Sequence, residues 1–203
     1  MKDSIYVWFD TEYSQIELEA AVLLQVAAVI TDTSLRRVVP KEQDVRLAIR
    51  LPQGAVVSAW VERNLPGLLK VCRSPDAVDV AEADDRLSAY VDAVERPRTG
   101  RRHDQPMLAG NSIHADWWFV RRFLPHFLSR LHYRQLDVTA FKLEWKRLHR
   151  DAEFQKENQE MIRAYFPEAA SPGSALRHDA YYDVEASIAE LAFYRRHLIR
   201  EEE

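Results

Sequence analysis

Apolar and polar positions divide the chain into a strand-patterned first third and a helix-patterned remainder. Residues 5–9 (IYVWF) are a continuous apolar, β-prone run, as expected of a central strand covered on both faces. Residues 22–30 form a second such run, interrupted only by Gln25. Val45, Leu47, Ile49 and Leu51 alternate with Arg46, Ala48 and Arg50, the pattern of a half-exposed strand that Pro52 ends. The first third therefore predicts three strands in an antiparallel meander.

Helical spacing follows. Ala83, Leu87, Tyr90, Val91 and Val94 share one face of an amphipathic helix. Residues 96–106 read as a polar loop, Met107–Gly110 as a short strand, and Val120, Phe123, Leu124, Phe127 and Leu131 as the inner face of one helix. Residues 136–138 read as another short strand, and Phe141, Trp145 and Leu148 as the next helix. A charged helix is expected over 150–165 and a loop over 166–174, before a last helix with Val184, Ile188, Leu191 and Leu198 on one face. Strands first, then alternating helix and strand, predict an α/β fold of one domain over residues 1–203, a mixed sheet with helices packed on it.

Composition narrows the class. At 203 residues, 47% apolar and 30% charged, the chain has enough apolar mass for a real core and is neither disordered nor collagen-like. The apolar stretches 20–24 and 26–30 are five residues each, far short of the roughly 20 that cross a bilayer. The first residues lead straight into a strand pattern without an export signal, and Cys72 is the single cysteine, so a cytoplasmic location is the expectation. The net charge is −4, from 28 basic and 32 acidic residues. A broad basic field for gripping a long duplex is missing; a short strand captured at one deep site fits better.

Three segments carry candidate chemistry. Asp10-Thr11-Glu12 follows the first strand, and alternate residues of an extended chain project together. Paired carboxylates there repel unless a cation neutralises them, although an isolated D-x-E is more often a turn with solvated acids. Residues 110–116 (GNSIHAD) follow a short strand and open a helix; Asn111 or Ser112 would cap it, leaving N–H groups for a phosphate, with Asp116 near the start. Residues 178–183 (HDAYYD) hold His178 and Asp183, which within one helix would point about 140° apart. His178 must then precede the helix, with Asp183 one turn in. Four acids at strand ends and helix starts form an oxygen-only set suited to Mg²⁺ or Mn²⁺. Two such ions about 4 Å apart can clamp a phosphodiester, and a neutral His178 can take the proton of water.

The D-x-E, later Asp, then H-x-A-x-x-D series resembles the DEDD exonucleases of the histidine subtype; the tyrosine subtype carries Tyr where this chain has Asp179. Within that superfamily the chain is similar to the oligoribonucleases, through WFDTE (8–12), ITD (30–32), PMLAGNSIHAD (106–116), LHYRQLDVT (131–139) and residues 178–198. The likeness is weakest at 33–105 and 150–175. It implies an RNase H-like exonuclease fold with a mixed five-stranded sheet, a homodimer, two divalent metal ions, and 3′→5′ removal of nucleotides from short single-stranded RNA, with DNA as a further substrate. By position, Asp10, Glu12, Asp116 and Asp183 match the metal ligands and His178 the general base. Ile16 falls at the leucine that wedges against a base, and Trp60 at a tryptophan near the pocket. Ser112 matches a phosphate contact. Tyr133 matches the aromatic that reaches across the dimer, and Arg134 with Thr139 the cap on the 5′ phosphate.

Departures are specific. Tyr13, Ser14, Gln15 and Ile16 stand where Met-Thr-Gly-Leu is usual, Gln25 replaces a glutamate, Tyr182 replaces an acid, and the stretch after Trp60 is shorter and lacks a histidine. Trp117, Trp118 and Phe119 read as core and dimer surface; His103, His114, His126, His132, His149 and His197 as surface or capping residues; Cys72 as packing. The alternatives are a related exonuclease that trims longer RNA or single-stranded DNA, and a catalytically silent nucleic-acid-binding protein, which a missing acid would favour.

Overall fold

The computed structural model describes residues 5–94, 105–149, 153–169 and 178–198. His103, most of the loop expected at 96–106, the start of the helix expected at 150–165 and the later part of the loop expected at 166–174 lie outside the described residues. Strands β1 (Ile5–Tyr13), β2 (Leu23–Asp32) and β3 (Val45–Ala48) come first. Helices α1 (Ala59–Asn64), α2 (Pro66–Cys72) and α3 (Val80–Asp92) follow, then β4 (Met107–Gly110), α4 (Ile113–Phe123), α5 (Pro125–Leu128) and β5 (Gln135–Asp137). Helices α6 (Val138–Leu148), α7 (Gln159–Tyr165) and α8 (Ala180–Leu198) end the chain's described part.

The five strands form one mixed sheet in the order β3-β2-β1-β4-β5. β1 pairs antiparallel with β2 and parallel with β4; β2 pairs antiparallel with β3, and β4 parallel with β5. The meander and the α/β class are as the hydrophobic pattern predicts. β1 is apolar at every position from Ile5 to Phe9 because both its faces are covered. Val7 and Phe9 pack with Leu87, Val91, Phe119 and Phe127 on one side. Tyr6 and Trp8 pack with Trp145, Ile188, Leu191 and Tyr194 on the other. The Trp8 indole N–H donates to Thr31 Oγ1 at 2.8 Å, so its burial leaves no orphan donor.

Four local expectations change. β3 stops at Ala48, and Ile49 instead bridges to Val78 in parallel. The helix expected through Leu131 is broken at Leu124, because Pro125 removes an N–H donor and starts a new short turn. In the segment 150–165 the helix is confined to α7, capped by the Asn158 side chain accepting from the Met161 N–H. α8 is not one-faced: Tyr181, Val184, Ala186, Ile188, Leu191 and Tyr194 are all buried, since the sheet, α6 and α7 surround it. Helices α1 and α2 were not foreshadowed by periodicity. They are too short for it, and rest on a small separate cluster of Leu24, Val61, Leu65, Leu69 and Cys72.

One buried charge cluster joins α8 to the sheet side. Glu185 on α8 meets Arg37 at 2.9 Å, and Arg37 also holds Asp44 at 2.5 Å. Among the described residues no helix is long and apolar enough to cross a membrane.

Gly110 marks the point where β4 presses on β1. A Cβ there would lie 2.8 Å from the Phe9 carbonyl oxygen and 3.1 Å from Ile113 Cδ1, so the backbone has to shift. Gly110→Ala is expected to lose roughly 1–3 kcal/mol of stability, read by urea denaturation; an unchanged midpoint would contradict this packing.

Candidate active site

β1 carries two acids past its buried run. Asp10 pairs with Ala27 and Glu12 with Gln25 across β2, before a register shift at Tyr13. This is the one end of β1 where the core gives way to a cleft of ≈ 940 Å³, at the large end of small-molecule sites. Its lining includes Asp10, Glu12, Ile16, Trp60, Ser112, Thr139, Lys156, His178 and Asp183.

α8 supplies the third acid. His178 precedes the helix in a left-handed conformation, φ 63°, and Asp183 lies in the first turn. The helix start is fixed from β2. Gln25 donates through Nε2 to Asp179 Oδ2 at 3.2 Å, and accepts through Oε1 from the Ala180 N–H at 3.1 Å. Asp179 Oδ1 accepts in turn from the N–H groups of Tyr181 and Tyr182, both at 3.1 Å. An amide at position 25 can donate and accept at once. That explains the departure from glutamate, which could only accept and would oppose Asp179.

Oxygens of Asp10, Glu12 and Asp183 lie within 4.8 Å of one another, a hard donor set of the kind that holds divalent cations. Asp116, on α4, is outside this trio. It is buried, accepts from Thr11 Oγ1 at 2.7 Å, and does not line the cleft. Its charge still reaches the others. Burial first, then Asp116, Asp183 and Glu12, hold the Asp10 carboxyl well above the usual carboxylate range. Burial, Asp183, Asp179 and Asp116 push Glu12 up to about 8. Burial lifts Asp116 to about 7, against the opposing Thr11 hydrogen bond.

Lys156 faces this cluster. Lys156 Nζ is 2.9 Å from Asp183 Oδ1. Burial disfavours its charged form, but Asp183, by charge and hydrogen bond, outweighs that and holds the ammonium above its ordinary range. Nothing in the spacing around Lys156 marks it, because its partner lies 27 residues away and its segment is irregular.

The remaining sequence candidates divide into two groups. At the cleft, the exposed His178 imidazole meets the Trp60 ring edge-on, centroids 4.9 Å apart. Trp60 itself is half exposed, and Ile16 is 80% exposed at the rim. Ser112 stands at the N-cap of α4 but makes no side-chain cap bond, and its own N–H is taken up. It donates to Asp137 Oδ1 at 3.0 Å and Thr139 Oγ1 at 2.8 Å, while the two hydroxyls lie 3.2 Å apart. Asn111 backs them: it accepts from Thr139 at 3.4 Å and donates to the buried Glu190 at 2.8 Å. Away from the cleft, Tyr133 is 58% exposed. It stacks on His132 at 4.5 Å, with the Arg134 guanidinium 5.5 Å from its ring. Of the other histidines, His126 faces Asp85 at 2.8 Å and His197 the Tyr165 hydroxyl at 3.0 Å.

No family model matches the chain. An oligoribonuclease of Nocardia farcinica is 32% identical over 205 residues, spanning 97% of this chain and 82% of its own. The mitochondrial oligoribonuclease of Bos taurus is 28% identical over 203 residues, spanning 96% and 73%. Among solved structures, exonuclease I of Methylocaldum szegediense superposes with TM-score 0.63 at 17% identity, over 96% of this chain and 41% of that one. A complex of Escherichia coli exonuclease I with single-stranded DNA gives 0.64 at 14% identity, over 97% and 42%. At such identities these structures speak for the RNase H-like exonuclease fold alone. With a relative above 30% identity matched over most of both chains and this fold around an acid-lined cleft, the chain belongs to the oligoribonuclease family.

Proposed function

We propose that the protein is a 3′→5′ exoribonuclease that hydrolyses short single-stranded oligoribonucleotides to 5′-mononucleotides with two divalent ions, Mg²⁺ or Mn²⁺. The observation that carries this reading is the approach of Asp10, Glu12 and Asp183 oxygens to within 4.8 Å, on the wall of a cleft shared with an exposed imidazole. The donor chemistry fits: three carboxylates, no thiol, and a repulsion that a bound cation relieves without protonating them. The trio would hold one ion, and Asp116, close enough to raise Asp10, would complete the set for the other. When bound, such ions neutralise the phosphodiester and make water a better nucleophile.

The chain's own residues supply the rest. His178, steadied by the edge of Trp60, accepts the proton of the attacking water. Trp60 and Ile16 offer apolar surface to the bases, a contact that tolerates any base. The Ser112 and Thr139 hydroxyls face the substrate phosphates from the cleft wall. Tyr133 and Arg134 are ordered against His132 yet lie off this chain's cleft. In this reading they serve the partner site of a homodimer, where Tyr133 stacks and Arg134 grips the 5′ phosphate bidentately. A reducing compartment, the cytoplasm, suits the single buried thiol.

Turnover of 5′-labelled RNA with Mn²⁺ tests the reading on a dinucleotide, a heptamer and a twenty-mer. The dinucleotide is expected to be preferred, and Asp10→Ala to abolish cleavage; equal digestion of the twenty-mer would favour the trimming alternative. Tyr133→Ala is expected to raise KM for the dinucleotide about tenfold, the worth of one lost stacking contact, with Mn²⁺ affinity unchanged. Undiminished turnover would reject the capping role.

The metal site also predicts a pH dependence. Glu12 and Asp116 titrate near 8 and 7 in the folded protein, above the roughly 4 of unfolded carboxyls. Their protonated forms therefore favour the fold fully below about pH 4, and that contribution is lost as pH rises through 7 to 8. The Tm of EDTA-treated protein should fall across this window, Glu12→Gln should flatten the slope, and Mn²⁺ should restore Tm at the high end. A flat profile without metal would contradict the upward shift of these buried carboxyls.

A further inference from the structure

Lys156 belongs to neither the acidic set nor any motif, yet it is tied twice to the residues that open α8. Its ammonium is 2.9 Å from Asp183 Oδ1. Its carbonyl accepts from the Tyr182 hydroxyl at 2.5 Å. Adjacent residues of one helix thus hold both the head and the backbone of the same lysine. The flanking chain is anchored as well, with Phe154 and Ile162 buried against Tyr182 and Phe193 in one cluster. The side chain is about half exposed, at 47%, while that of Asp183 is 16% exposed. The backbone is therefore fixed and the ammonium has open space into which it can swing.

We propose that Lys156 is a resident counter-ion of the acidic trio, which an incoming divalent cation has to displace from Asp183. This rests on the trio being a metal site. A monovalent ammonium at Asp183 partly offsets the repulsion among Asp10, Glu12 and Asp183, and it does so on the carboxylate that a divalent cation needs. The Tyr182 bond to the Lys156 carbonyl makes displacement a change of side-chain rotamer, with the backbone staying in place. The segment that carries Lys156 thereby sets how tightly metal binds before any substrate arrives.

The test uses the full chain and Mn²⁺ alone. Calorimetric titration of EDTA-stripped protein should show Lys156→Met binding Mn²⁺ about fivefold to tenfold more tightly than the unmodified protein, the worth of one like charge a few ångströms away in a solvent-exposed site. Lys156→Arg, which keeps the charge, should bind like the unmodified protein. Without metal, Lys156→Met should melt lower than the unmodified protein; at saturating Mn²⁺ the two should melt alike. Equal or weaker Mn²⁺ binding by Lys156→Met would overturn the proposal, since the lysine would then be neutral toward the ion or would help to position Asp183 for it. That result leaves the metal site standing, whereas no Mn²⁺ binding by the unmodified protein would remove the site and the proposal together.

Discussion

Three carboxylates at the end of one buried strand and the start of one helix repel each other unless a cation lies among them, and the surrounding fold holds them together regardless. Asp10 and Glu12 are held in register by β2, and the run before them is also paired with β4 over Tyr6–Trp8 and packed on both faces. A slip of one residue would send every side chain of β1 to the opposite face, exchanging Val7 and Phe9 for Tyr6 and Trp8 in two differently shaped cores. The apolar run that opens the chain thus does more than stabilise. It fixes the register that keeps two like charges side by side.

The third acid is held by a different device. α8 is buried on most of its surface, but its first turn would fray without caps. Gln25 and Asp179 supply them across 154 residues of sequence, so the strand that pairs with Glu12 also anchors the helix that carries Asp183. Acids on separate elements are joined by one hydrogen-bonded path. On the far wall, Glu190 does the same for Asn111 and, through it, for Thr139 and Ser112. Each wall of the cleft is held from behind by a polar side chain rooted in α8 or β2.

Much of this is legible in the chain because it follows from local rules. The both-faced burial of β1 appears as an unbroken apolar run, and the position of His178 before α8 follows from the angle that five helical residues subtend. Less legible is whatever depends on partners distant in sequence. Asp116 reads as one of four equivalent acids, but its hydrogen bond from the Thr11 hydroxyl has no counterpart in that reading. Ser112 reads as a helix cap, yet its side chain caps nothing and its N–H is held by Asp137 and Thr139. α1 and α2 are too short to show a period, and Lys156 sits in irregular chain whose placement depends on Tyr182 and α7. No spacing rule announces such pairings.

The distribution of charge bears on substrate length. Three lysines line the cleft, and each already faces an acid: Lys142 lies 3.5 Å from Glu190, Lys146 2.5 Å from Glu153, and Lys156 2.9 Å from Asp183. A cation tethered this way adds little to the long-range field that draws a polyanion along a surface. Together with the net charge of −4, this leaves affinity, under the proposed function, to contacts at the site itself: base stacking, hydroxyls on a phosphate, and ions held by the acids. Such contacts saturate within a few nucleotides, so added length brings no added binding. A chain built to trim long strands would need unpaired cations leading away from the cleft; among the described residues that line it, Lys142 and Lys146 are committed to neighbours instead.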